Sequence, residues 1–159
     1  MKETINAEWL NIMDKNFEKQ EHYIKLKSKL NKAVKNKFWF EACMIEYAII
    51  EDRTSSILYY TKICKNAYDS DKKLANKLRS IEYQIGKKHP IISKKVSRDT
   101  ILKILSWKDK RNDLVHRACV LYNEQLAEDV ALEGISLVKS ISNDSAKVTR
   151  YVQKSEKNK

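Results

Sequence analysis

Two glycines and one proline are all that 159 residues provide. Tight reversals between strands draw on glycine and proline at fixed positions, so a chain this poor in both has little with which to build β-hairpins. Charged residues make up 33% of the sequence, which suits solvated helix faces. The expectation is an all-α protein: an up-and-down helical bundle of four to five helices. The length suffices for one well-buried core and not for two independent ones, so residues 1–159 are read as a single domain.

Apolar spacing places the helices. Trp9, Leu10, Met13, Phe17, Ile24, Leu26, Leu30 and Val34 recur near a helical period over 5–35, as one long helix or two. The 38–66 stretch carries two apolar stripes, Ile45, Ile49, Ser56, Tyr59 and Ile63 on one side and Trp39, Cys43, Ile50, Ile57 and Cys64 on the other. A helix apolar on two faces belongs in the middle of a bundle. A third helix over about 71–85 presents Leu74, Leu78, Ile81 and Ile85, with Gly86 as its stop. After the connector KKHPIISKKVSRD, Ser97 or Asp99 caps a fourth helical region through Ile101, Ile104, Leu105, Leu114, Val115 and Ala118, with a possible break near SWKDK. A last helix starts near 123 and carries Leu126, Val130, Leu137, Val138 and Ile141 inward; from about 146 the tail is expected to fray.

The formal charge of +11 is uneven. Residues 69–98 hold nine basic and three acidic side chains, more than half of the excess. Such a concentration either neutralises phosphates or forms a solvated lysine-rich face. Cys43, Cys64 and Cys119 are odd in number and lack a C-x-x-C pair, so buried free thiols are expected rather than disulfides or a structural zinc site. No apolar run reaches membrane-spanning length, and the N-terminal MKETINAEWLNIMDKN lacks the apolar core of a signal peptide; the reading is a cytoplasmic protein without a membrane partner.

One stretch, KRNDLVHRAC at 110–119, puts Arg111, Asn112 and His116 in one predicted helix of a chain with 3 histidines. Asn112 and His116 lie four apart on one face, so the amide can bond an imidazole nitrogen and set its tautomer. Arg111 is offset from His116 by roughly 140° around the helix and about 7.5 Å along it. One straight helix therefore does not aim both at one atom, whereas a two-fold pairing of chains gathers two arginines and two histidines in one cleft.

The triplet R-N-x-x-x-H resembles the R-x(4 to 6)-H motif of HEPN-superfamily nucleases, which often carry a polar residue after the arginine. The all-helical pattern, the length and the late position of the motif, before one last long helix, fit that resemblance. It implies a dimer whose motifs meet at the interface and a metal-independent endoribonuclease, in which the ribose 2′-hydroxyl of single-stranded RNA attacks the adjacent phosphorus and leaves a 2′,3′-cyclic phosphate. Imidazole moves protons near neutrality, and a guanidinium braces the phosphorane oxygens. On this reading Arg111, Asn112 and His116 are the catalytic residues, and Lys87, Lys88, Lys94, Lys95, Arg98, Lys108, Lys110 and Arg117 hold the RNA. The expected setting is a toxin or phage-defence effector, with an antitoxin or other regulatory protein as a further partner, and with neither cofactor nor metal. Some HEPN toxins extend the motif to R-x(4)-H-x-Y; Ala118 stands at that tyrosine position and Tyr122 lies a turn on, which puts that mode of control in question.

The alternatives stay open at this point. His116 can be a partly buried histidine bonded to a neighbouring helix, Arg111 a surface partner of Asp109, and the whole a non-catalytic bundle binding RNA or a protein. Glu46, Asp52 and Arg53 sit on apolar stripes and need partners if buried: Glu46 or Asp52 can reach the motif, or Asp52 can pair with Arg53. His116 and Cys119, one turn apart, make neither a zinc site nor, with a buried thiol, a strong nucleophile pair. GKKHP lacks the second glycine and the hydroxyl residue of a phosphate loop, and Trp107, Trp9 and Trp39 are expected in the core or an interface.

Overall fold

In the computed structural model, which describes residues 2–68 and 72–158 and the side chains from Glu18 onward, the chain forms five long helices and a single-turn one. They are α1 (Lys2–Lys35), α2 (Trp39–Tyr60), α3 (Leu74–Gly86), α4 (Ile92–Lys95), α5 (Arg98–Arg117) and α6 (Glu124–Lys157). There is no strand among the described residues. The all-α bundle expected from the scarcity of turn formers is what forms.

α2 is the middle of it. It packs on α1, α3, α5 and above all α6, and both of its stripes are inside: Ile45, Ile49 and Ser56 on one, Trp39, Cys43, Ile50 and Ile57 on the other. Tyr59 departs from its stripe and is 49% exposed. The helix also ends at Tyr60 rather than 66, because Lys62 turns the chain; Ile63 and Cys64 pack against the core from outside the helix. α1 is one uninterrupted helix that buries Leu30 and Ala33 but leaves Ile24 exposed. Trp9, Leu10, Met13 and Phe17 lie outside the described side chains.

The starts of α5 and α6 are set by side-chain capping. Ser97 Oγ accepts the Thr100 amide at 3.2 Å to open α5, and Asn123 Oδ1 accepts the Leu126 amide at 3.0 Å to open α6. The buried Asp144 of α6 takes the Ser97 amide at 2.9 Å, which pins the start of α5 to α6. α5 runs through SWKDK without a break, since Trp107 is fully buried and its indole N–H reaches the Val130 carbonyl at 2.8 Å.

Helix ends use an unexpected residue. Lys37, Lys62 and Lys88 have φ of 59°, 61° and 57°, and at each the lysine amide and the one after it bond back to carbonyls of the closing turn, as in Lys37 N to Val34 O at 3.1 Å and Phe38 N to Ala33 O at 2.8 Å. Gly86 is therefore not the stop; it is the last residue of α3, and Lys88 makes the reversal. Nor does the tail fray at 146. α6 continues to Lys157, held by the buried Val148 and Val152.

Candidate active site

The last two turns of α5 face the first half of α2. Arg111, half-buried, lays its guanidinium 4.5 Å from the centre of the Tyr47 ring. Its Nη1 donates to Asn112 Oδ1 at 3.2 Å, and its Nη2 points at Met44 Sδ at 2.7 Å. Its Nε is buried without a hydrogen-bond partner among the described residues. A guanidinium on an aromatic face gains about 0.5–2 kcal/mol, so the group is a braced plate rather than a swinging arm. The second hydrogen on each terminal nitrogen remains for an anion.

Beneath the plate lies a neutral layer. Glu46 is fully buried, both carboxyl oxygens lack a partner among the described residues, and burial pushes its pKa up to about 8. The carboxyl is therefore protonated at neutral pH. Burial, joined by Glu46 and opposed by Arg111, pushes the Cys43 thiol up to about 12. That removes Cys43 as a nucleophile. Burial and then Glu51 raise the Tyr47 hydroxyl against the pull of Arg111. The Tyr122 hydroxyl is raised by burial, then by Glu124 and Cys43, although the side chain is exposed.

His116 stands in the last turn of α5, exposed, with no hydrogen-bond partner for its ring among the described residues. The expected amide-to-imidazole bond is absent: Asn112 turns to Arg111 instead, because the guanidinium it follows lies within reach on the α2 side. As the helical offset requires, Arg111 heads for α2 and His116 for solvent. Beyond them the chain turns out through Val120 and Leu121, 89% and 68% exposed, and Tyr122, with Met44 also exposed nearby. Cys119 is exposed too, contrary to the expectation of a buried thiol, since α5 has already ended.

The basic residues expected to hold RNA do not form one surface. Lys87 and Arg98 line a shallow groove with Arg79, Glu82 and Tyr83, and Arg98 there pairs with Glu82 at 3.2 Å. Lys88 and Lys94 are exposed, while Lys95 lies 5.3 Å from the Tyr151 ring of α6. Near the motif Lys108 pairs with Asp109 at 2.5 Å and Lys110 with Glu133 at 2.8 Å, whereas Arg117 stays exposed. Asp52 is occupied by Arg53 and by Lys19 at 3.0 Å, so Asp52 and Arg53 pair with one another and away from the motif.

Sequence reading missed Met44, Tyr47 and Gly134 as members of this cluster. The signal for Gly134 was present. A glycine in the middle of a long amphipathic helix costs about 1 kcal/mol against alanine and implies a close approach; a Cβ there would come within 2.0 Å of Glu46 Oε2 and 3.0 Å of Trp107 Cζ2. Among the described residues no three metal-ligating side chains gather here or elsewhere, and no described helix is long and apolar enough to cross a membrane. Comparison of the chain with protein-family models, with curated proteins and with solved structures finds no match.

Proposed function

We propose that this chain is a HEPN-type endoribonuclease that acts as a homodimer on single-stranded RNA, in the setting of a toxin or antiviral effector held in check by a regulatory partner. The observation that carries the reading is the division of labour within R-N-x-x-x-H: a guanidinium braced by Asn112, Tyr47 and Met44, and an unencumbered imidazole five residues on. His116 of one protomer takes the 2′-hydroxyl proton as that oxygen attacks phosphorus, and the histidine of the second copy protonates the departing 5′-oxygen. Arg111 gives its spare N–H groups to the phosphorane oxygens. Asn112 positions Arg111. The reaction needs no metal, and the exposed Val120 and Leu121 beside the motif give a second copy an apolar surface to cover.

A second reading has its own observation. With Tyr47, Met44 and Asn112 around it, Arg111 also serves as a packing strut between α5 and α2, and a non-catalytic bundle that binds RNA or a protein needs nothing more. Incubating RNA in excess EDTA with the wild type, His116→Ala and Arg111→Ala separates the two. Cleavage by the wild type alone, ending in cyclic phosphate, with the variants' melting unchanged for His116→Ala, supports the nuclease. No cleavage, together with a loss of several kcal/mol on Arg111→Ala, makes the arginine structural.

A further inference from the structure

At the far end of α2 from Arg111, a cleft of about 670 Å³ opens between α1, α2 and α6, lined by Tyr23, Tyr59, Tyr60 and Tyr68 with Lys19 and Arg53 among them. Half of the chain's 8 tyrosines meet here. Tyr59 is the unexpected outward member of its stripe: its ring stands edge-on to Tyr60 at 5.6 Å and tilted to Tyr68 at 5.8 Å, yet half of it faces solvent. An apolar ring kept at the surface by two others offers a flat face to something other than the core.

The two cations are held over that aromatic wall. Lys19 Nζ sits 4.1 Å from the Tyr68 ring centre and Arg53 Cζ 4.4 Å from that of Tyr23. Asp52 anchors both, at 3.0 Å from Lys19 and through Arg53 Nε at 2.9 Å. One carboxylate shared by two cations leaves a surplus positive charge; Lys19 also donates to the Tyr68 hydroxyl at 2.9 Å, so the Nη1 edge of Arg53 and one ammonium hydrogen of Lys19 remain unspent. Ser56 and Thr149 add hydroxyls to the walls. Volumes of roughly 300–1,000 Å³ suit a small-molecule site.

We propose that this cleft binds a nucleotide unit, with the base stacked on the Tyr59 and Tyr68 side and the phosphate on Arg53 and Lys19. Stacking accepts any base, because every base has a π-face, and the cations select for the phosphate. The unit comes either from a free mononucleotide or from one residue of a single strand. The site stands apart from the Arg111 cluster and does not depend on the cleavage reading.

The test is equilibrium binding of three probes: 5′-UMP, a ten-residue oligothymidylate, which has no 2′-hydroxyl to attack its own backbone, and inorganic phosphate. The wild type is compared with Tyr59→Ala, Arg53→Gln, Lys19→Gln and, at an exposed lysine outside the cleft, Lys139→Ala. Tyr59 and Lys19 are solvent-facing, so their variants remain informative should Arg53→Gln fold poorly. Binding of UMP that weakens about tenfold in Tyr59→Ala and in a cation variant, but not in Lys139→Ala, supports a free-nucleotide site; the same pattern for the oligonucleotide alone supports a strand-holding one. The proposal is overturned if neither nucleotide probe binds, if the Tyr59 and cation variants bind as the wild type does, or if phosphate binds as tightly as UMP and ignores Tyr59→Ala. Each of these results reads the same in an Arg111→Ala background, so failure here and failure of the nuclease reading are distinct.

Discussion

Glu46 lies wholly out of solvent on α2, and neither of its oxygens meets a donor among the described residues. Burial raises its pKa from 4.5 to about 8, so the folded chain keeps a proton that the unfolded chain releases between those values. Stability is then fully present below about pH 4.5 and falls as pH rises through about 8, by an amount on the order of 2–4 kcal/mol once the carboxyl ionises inside. Glu46→Gln cannot ionise. Urea denaturation at pH 5 and pH 8.5 should therefore show the variant gaining on the wild type by that amount across the interval, and parallel behaviour of the two chains would refute the buried neutral acid. The same side chain explains Gly134. With a Cβ at 2.0 Å from Glu46 Oε2, Gly134→Ala overpacks the junction of α2, α5 and α6 and should cost roughly 1–3 kcal/mol. Removing the obstacle with Glu46→Ala in the same chain should return much of that loss, a non-additivity that thermal melting of the two single variants and the double variant measures.

Among the elements, the starts of α5 and α6 were legible, whereas the one-turn α4 inside the expected connector and the ends of α2 and α6 were not. Ser97 and Asn123 are side-chain caps whose chemistry is local, so Ser97 was readable as one of two candidate caps and the start near 123 fell in place. The ends are set by which residue can take a left-handed turn, and in a chain with 2 glycines that duty falls to Lys37, Lys62 and Lys88. A lysine carries no mark that it will do so, and the one glycine in the right place, Gly86, has no positive φ and nothing within 4 Å of a would-be Cβ. The consequence inverts the sequence-based expectation. An L-residue in the left-handed region costs about 1 kcal/mol or more, so Lys37→Gly and Lys88→Gly should each raise stability by roughly 0.5–1 kcal/mol. Gly86→Ala, which a glycine stop would forbid, should be neutral or stabilising by up to about 1 kcal/mol. Melting temperatures of the three variants decide it, and a destabilised Gly86→Ala would restore the glycine as the cap. α6 teaches a related lesson, since its last three turns read as a polar tail from composition, yet Val148 and Val152 keep helical register with the core and hold them in place.

For the molecule as a whole, the candidate site was legible as far as one helix carries it. The R-N-x-x-x-H spacing correctly implied that Arg111 and His116 leave α5 in different directions, and an even helix to Arg117 leaves them so. What spacing did not hold was the α2 side: that Met44 and Tyr47 would draw the guanidinium in, and Asn112 with it, depends on how two helices cross. In the proposed function, convergence on one phosphate falls to a second copy, and this has a consequence that a single-chain site does not share. In the proposed dimer, Arg111→Ala homodimers contain no guanidinium and His116→Ala homodimers no imidazole, and both should be inactive. A mixed dimer holds one guanidinium and one of the two imidazoles in its shared cleft, so co-expressing the two dead variants should restore a small fraction of wild-type cleavage, with solvent water replacing the missing second imidazole. Val120→Asp with Leu121→Asp supplies the counterpart, because both side chains are already exposed and their loss should move monomer stability by no more than about 0.5 kcal/mol. Charge on that surface should instead push the dimer apart, so that sedimentation shows a monomer and specific activity falls on dilution while the fold stays intact. Wild-type chain that sediments as a monomer and still cleaves would mean that one copy brings both groups to the phosphate, against the directions in which α5 sends them.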